Sequence, residues 1–206
     1  EDFVYGMQGV KESTASSPSG RHVGHYITIA RMESDIVRAT ICLIAETALR
    51  AQRPLDRWLQ CTQVMLEKGK GNHINNLRII QLLEVDLNFV LRLIWGRRLN
   101  RAAHGQGHYN TAQYAVPGSL CNSAVLQKVL FADMLRQTHQ VGAITEFDVK
   151  AAYDKVIPAL ATVTCMRLGL PREACEFMTH LIGNMEYRIG TARGISNGSF
   201  IASASK

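Results

Sequence analysis

What is absent narrows the field first. The five cysteines, Cys42, Cys61, Cys121, Cys165 and Cys175, are odd in number and include no Cys-x-x-Cys pair. That argues against a disulfide framework. It favours a reduced, intracellular compartment, with most of them packed as small apolar residues. No apolar run approaches the length of a membrane span and no signal-peptide pattern is visible, so no membrane partner is expected. No internal repeat occurs. The composition is ordinary for a globular protein, and excludes a disordered or fibrous chain.

What remains is 206 residues, which fits one domain or two closely packed subdomains and suffices for a core without disulfides. The formal charge of +6 and pI near 9.2 mildly favour polyanionic partners. The chain starts at Glu1 and stops at Lys206, just after a Gly/Ser-rich loop, and a piece of a longer protein is expected.

The organising stretch is Ala143–Val156. The apolar run Ala143-Ile144-Thr145-Glu146-Phe147 predicts a strand ending at Asp148. Tyr153 and a second acid, Asp154, follow. A carboxylate at a strand end is placed to hold a hard cation, and Mg²⁺ takes one or two of them plus water and substrate phosphates. Alone, the two-acid pattern also describes a plain strand end with a solvated Asp and a helix N-cap.

Earlier, Trp58–Glu67 and Asn76–Leu83 read as two strands joined by the turn Lys68-Gly69-Lys70-Gly71-Asn72. The tip is basic through Lys68 and Lys70, with Arg78 just beyond, a composition suited to phosphate oxygens. Glu33–Arg50 predicts a helix with Ile36, Thr40, Leu43, Ile44 and Ala48 on its buried face. Asp86–Ala103 predicts another, N-capped by Asp86, with Leu87, Val90, Leu91, Ile94 and Trp95 inward. Its Arg92, Arg97, Arg98 and Arg101 suit either the helix dipole or a nucleic-acid backbone, and both readings stay open.

Cys121–His139 predicts a helix with Val125, Val129, Ala132 and Leu135 on one face. Pro158–Leu168 and Pro171–Gly183 predict two more, each with Pro in its first turn, and Glu186–Thr191 a short strand. Ser13–Gly24 reads as a loop. Its His22, with His25 three residues on, lacks any Cys or acid that would complete a zinc site.

In order and spacing these segments resemble reverse transcriptases of the non-LTR retrotransposon or group II intron kind, over most of residues 13–199. The carriers are S-S-P-S-G-R-H-V-G, the Lys/Arg hairpin, Q-Y-A-V-P-G-S at 113–119, D-V-K-A-A-Y-D at 148–154, L-G-L-P at 168–171 and G-I-S-N-G-S at 194–199. The resemblance implies an α+β fold: right-hand polymerase fingers and a partial palm, helix-rich with short antiparallel strands. Residues 1–111 would be fingers, with the hairpin at about 59–83. Residues 112–156 would be the first part of the palm, 157–190 a helical segment returning to the fingers side, and 191–206 the start of the second palm part.

The implied function is template-directed DNA synthesis, by metal-dependent nucleotidyl transfer from deoxynucleoside triphosphates onto a DNA primer along an RNA template. Asp148 would be the catalytic carboxylate and ligate Mg²⁺ (or Mn²⁺), with the Val149 carbonyl assisting. Lys68, Arg78, Asn197 and Gly198 would bind the nucleotide, and Tyr153 would exclude a 2′-hydroxyl. Gln113, Pro117 and Gly118 would grip the template, and Asp154 would be structural. The resemblance to retroelement enzymes implies an intracellular location, the nucleus among them.

The sequence departs from the family at four points. Ala115 replaces a Gly, Asn197 replaces a Gln, Ala202-Ser203-Ala204-Ser205 stands where a Ser-Pro should follow, and no Asp-Asp dipeptide, which supplies the remaining metal ligands, occurs. The chain is therefore expected not to polymerise by itself. The alternatives are a non-catalytic nucleic-acid-binding remnant of a retroelement and a viral RNA-directed RNA polymerase, against which Tyr153 argues.

Overall fold

A computed structural model describes residues 2–7, 10–13, 18–32, 34–67, 69, 73, 77–110, 112–116, 118–148, 155–191 and 193–201. The two runs flanking the basic turn pair as a hairpin. Strand β1 (Gln60–Glu67) lies antiparallel to β2 (Leu77–Leu82), in register from Thr62 opposite Leu82 to Glu67 opposite Leu77. On its other side β1 pairs in parallel with β3 (Glu186–Thr191). The far edge of β3 is filled by two short antiparallel strands. These are β4 (Gly194–Ile195), beside Gly190 and Thr191, and β5 (Phe200–Ile201), beside Glu186 and Tyr187. The protein is thus mixed α and β, helix-rich, with one small sheet. That sheet is mixed, where only antiparallel strands were expected.

The helices are α1 (Asp2–Met7), α2 (Val23–Arg31), α3 (Asp35–Arg50), α4 (Val85–Leu91), α5 (Leu99–Gly105), α6 (Cys121–Gln137), α7 (Pro158–Arg167) and α8 (Arg172–Asn184). A 3₁₀ turn, Asp56–Leu59, leads into β1. A π-helical segment, Arg92–Arg98, joins α4 to α5 without a break in the rod. Helix α2 begins within a stretch expected to be loop. His22, an unusual cap, accepts the Gly24 N–H on Nδ1 at 3.1 Å, while Val23, Tyr26 and Ala30 turn inward.

The core gathers where the start of β1 meets α8 and α4. Trp58 and Phe177 are both fully buried and meet edge-to-face, ring centroids 6.0 Å apart, among Leu87, Leu181, Cys61 and Cys175. Consecutive buried residues Cys61 and Thr62 show that both faces of the sheet are covered at this end. Of the inward face expected for α4 and the rod after it, Leu87, Val90 and Ile94 are buried, and Leu91 and Trp95 pack on the core half-buried.

Four further expectations fail. Helix α3 turns Ala45 and Ala48 to the core, flanked by Ile41 and Leu49, and leaves Ile36, Leu43 and Ile44 exposed. Its neighbour is α8, and the small alanines permit close approach. Asp86 is not the N-cap: Glu84 stands there, and Asp86 lies inside the first turn. Helix α6 buries no side chain, and Val125 and Val129 of its expected inner face are exposed. Ala143–Phe147 forms no strand and is exposed. An extended segment becomes a strand only when neighbours take its N–H and C=O groups. Both edges of β3 are already occupied, by β1 on one side and by β4 and β5 on the other.

Candidate nucleic-acid interface

In β2, Arg78 stands opposite Leu66 of β1, one pair in from the last pair of the hairpin. Side chains alternate along a strand, so Arg78 shares a face with Ile80 and Leu82, and across the ladder with Leu66, Val64 and Thr62. The parallel register carries this face onto β3, where Arg188 sits beside Thr62 and Gly190 beside Val64. Arg78 and Arg188 are both exposed, and neither guanidinium has a hydrogen bond or ion pair among the described residues. Among the described residues this sheet face therefore carries two guanidinium groups without partners, with Gly190 beside Val64 between them in register. A Cβ added at Gly190 would lie 3.1 Å from Thr62 Cγ2, so the position is also tight. Arg188 was not singled out from the sequence; alternation from Arg78 through the sheet register is the only signal for it, and that needs the pairing.

The Asn197-Gly198 turn hangs from the far edge of the same sheet. Ser196 fixes it: its N–H donates to the Ile189 carbonyl at 2.9 Å, and its hydroxyl donates to the Gly198 carbonyl at 2.8 Å. The Ile189 N–H in turn donates to Ser196 Oγ at 3.1 Å. Ser199 adds a hydrogen bond to Glu186 at 3.4 Å. Asn197 itself is exposed.

The segment around Gln113 lies between two anchors. The Gln113 N–H donates to the Asn110 carbonyl at 2.9 Å and leaves the side chain exposed. The Tyr114 hydroxyl donates to Gln127 of α6. Gly118 has φ +88°, a left-handed conformation that favours glycine, and Ser119 N–H closes the turn onto the Val116 carbonyl at 3.1 Å.

Asp148 is exposed in irregular backbone after Phe147, itself 90% exposed. Its carboxylate has no hydrogen bond or ion pair among the described residues. Glu146 nearby in sequence is engaged by Lys128 of α6. A free, solvent-facing carboxylate fits one ligand position of a magnesium ion and no more. Among the described residues no group of three or more His, Cys, Asp and Glu is placed to hold a metal. Lys68, Pro117, Val149, Tyr153 and Asp154 lie outside the described residues.

The structure thus joins Arg78 and the Asn197 loop through one sheet. No hydrogen bond or ion pair links Asp148, Gln113 or Gly118 to that sheet among the described residues.

Sequence reasoning missed a buried polar network behind the hairpin. Glu84 is fully buried and accepts from the Ser19 N–H and hydroxyl, both at 2.9 Å, and faces Arg57 at 3.4 Å. Asp86 accepts from Trp58 Nε1 at 2.9 Å and from the Leu87 N–H at 3.0 Å, and is paired with Arg57. The hydrogen bond to Asp86 holds Arg57 above the usual guanidinium range. The Tyr26 hydroxyl is pushed up by burial and, secondarily, by the charge of Asp86. The network ties the Ser19 loop, the 3₁₀ turn and α4 together, and so fixes the base on which the hairpin stands.

Among the described residues no helix is long and apolar enough to cross a membrane. No protein-family model and no curated protein sequence matches the chain.

Proposed function

We propose that this chain is the fingers and first palm portion of a reverse transcriptase of the retrotransposon kind, contributing to RNA-templated DNA synthesis. The observation that carries the reading is the β1–β2 hairpin. Its two strands flank the Lys/Gly turn, and Arg78 on β2 is exposed with no hydrogen bond or ion pair among the described residues, which supports a phosphate-binding role. In this reading Arg78 and Lys68 take the triphosphate of a deoxynucleotide, and Asn197 and Gly198 face its base. Asp148, with Val149, holds Mg²⁺ or Mn²⁺. Tyr153 selects the sugar, and Gln113, Pro117 and Gly118 take the RNA template. The proposed divisions are 1–111 fingers, 112–156 first palm, 157–190 connecting helices and 191–206 second palm.

Two-metal transfer requires more carboxylates than Asp148 supplies, and the sequence holds no Asp-Asp pair. The proposal is therefore tested by binding. A labelled DNA primer on an RNA template is titrated with the protein, with and without Mg²⁺ and the complementary deoxynucleotide. The expected result is tighter binding with the correct nucleotide, lost in Arg78→Ala and in Asp148→Ala, with no extension product. Binding indifferent to the nucleotide overturns the proposal.

The exposure of Asp148 outside the sheet favours a second reading, a nucleic-acid-binding protein without catalysis. The nucleotide-indifferent outcome supports that one.

A further inference from the structure

The rod from α4 to α5 carries arginines that the polymerase reading leaves unused. A π turn bonds each N–H to the carbonyl five residues back and so brings residues five apart into line. In the segment Arg92–Arg98 this aligns Arg92 with Arg97, and the α-helical spacing that resumes in α5 adds Arg101 four residues on. All three border one open cleft of about 1020 Å³, between the rod and α1, with Val116 at its rim. In an uninterrupted α-helix Arg92 and Arg97 would diverge around the axis, so the π segment is what puts them on one cleft.

The charges there are not balanced. Asp2 is the one acid in the lining, and its two oxygens are taken by Arg97 at 3.1 Å and Arg98 at 2.8 Å. Arg92, Arg101 and His104 are exposed, and their side chains make no hydrogen bond or ion pair among the described residues. Beside them stand two aromatic rings with fixed positions. Arg97 lies 4.0 Å over the ring of Tyr5, and the Tyr109 hydroxyl donates to Asn100 Oδ1 at 2.6 Å. Phe89 and Leu93 supply an apolar floor.

Unpaired guanidinium groups in a row recognise phosphates. Tyrosine rings beside them stack bases without regard to sequence. The volume is at the upper end for small-ligand pockets, with room for more than one nucleotide, and the cleft is open. We infer that it binds a single-stranded nucleic acid, with consecutive phosphates on Arg92, Arg101 and His104 and bases against Tyr5 and Tyr109. The inference uses no residue of the Asp148 site and stands or falls apart from the polymerase reading.

The test is fluorescence anisotropy of a labelled oligouridylate over a range of salt concentrations. Arg92→Gln with Arg101→Gln is expected to weaken binding about tenfold or more at low salt, and to lower the slope of log affinity against log salt by about one for each arginine removed. Tyr109→Leu is expected to weaken binding with the slope unchanged. Arg31→Gln with Arg167→Gln makes the same charge change elsewhere, and is expected to leave affinity within about twofold because these residues lie outside the cleft. An unchanged affinity in the Arg92/Arg101 variant, an equal loss in the Arg31/Arg167 variant, or full displacement of the oligonucleotide by equimolar uridine monophosphate would each overturn the inference. Circular dichroism checks that every variant is folded.

Discussion

Arg57 clasps Asp86 with both of its terminal nitrogens, Nη1 lying 2.7 Å from Oδ1 and Nη2 engaging Oδ2. The same guanidinium faces Glu84, so one cation serves two carboxylates that are almost wholly buried. Removing it strands both. Arg57→Met is expected to cost about 3–5 kcal/mol, the usual penalty for breaking a buried pair from one side. Adding Glu84→Gln and Asp86→Asn to that variant is expected to restore part of the loss, since Trp58 Nε1 and the Ser19 donors keep acceptors. Urea denaturation of the two variants measures the difference, and a larger loss in the triple variant contradicts the account.

The contact between Trp58 and Phe177 joins α8 to the start of the sheet. Phe177→Ala is expected to lose about 3–5 kcal/mol by transfer and cavity terms together, and Phe177→Leu less. Equal losses in the two variants would show that ring shape, not volume, holds α8 in place.

Alkaline pH is expected to destabilise the protein. Burial pushes the Cys61 thiol from 9.0 up to about 11, and raises Tyr187, which Cys61 raises further. Tyr26 is raised in the same direction. These groups are neutral when protonated, and the native state holds their protons longer than the unfolded chain does. The Cys61 contribution is therefore complete below pH 9.0 and is lost as pH climbs from there through about 11, and those of the two tyrosines are lost in the same direction as pH rises above 10.0. For Cys61 the shift corresponds to about 2–3 kcal/mol at most. Denaturation midpoints measured across this window should fall for the native protein and fall less steeply for Cys61→Ala. A midpoint that rises with pH contradicts the assignment.

Asp148→Ala is expected to leave stability within about 0.5 kcal/mol, because the side chain is exposed and touches nothing that holds the fold. The same holds for Arg78→Ala. Any loss of nucleotide-dependent binding in these variants then reports on the site and not on unfolding; a thermal melt alongside the binding assay decides it.

Much of the architecture was readable because local pattern and tertiary environment agree. Alternation and a Gly/Lys turn marked the hairpin, periodicity marked α3, α6 and the long rod, and a proline at the start marked α7 and α8. The failures share a cause: each depends on a neighbour that the local sequence does not name. Helix α3 offers two apolar faces, and only the position of α8 selects Ala45 and Ala48 over Leu43 and Ile44. Ala143–Phe147 has strand composition but pairs with no strand of the sheet among the described residues. Nothing in the run from Arg92 to Arg98 announces a π turn. Glu84 and Asp86 look like exposed first-turn acids until Arg57, distant in sequence, is brought against them. For the candidate site, Arg78 and Asp148 were legible as residue types in a spacing. Arg188 was not, because its place depends on β1 pairing in parallel with β3.

The exposure of α6 and of the described residues after it has a thermodynamic consequence. A helix that buries no side chain draws almost none of its stability from the rest of the protein. Residues 118–148 are therefore expected to open, exchange amide hydrogens and admit proteases at a free energy well below that of the sheet and α8. The carboxylate of Asp148 belongs to that weak unit. Whatever binds there must organise the segment as it binds, and part of its gross interaction energy goes into ordering. A ligand for Asp148 would then show itself first as slowed hydrogen exchange across α6, with exchange in β1 and β3 unchanged.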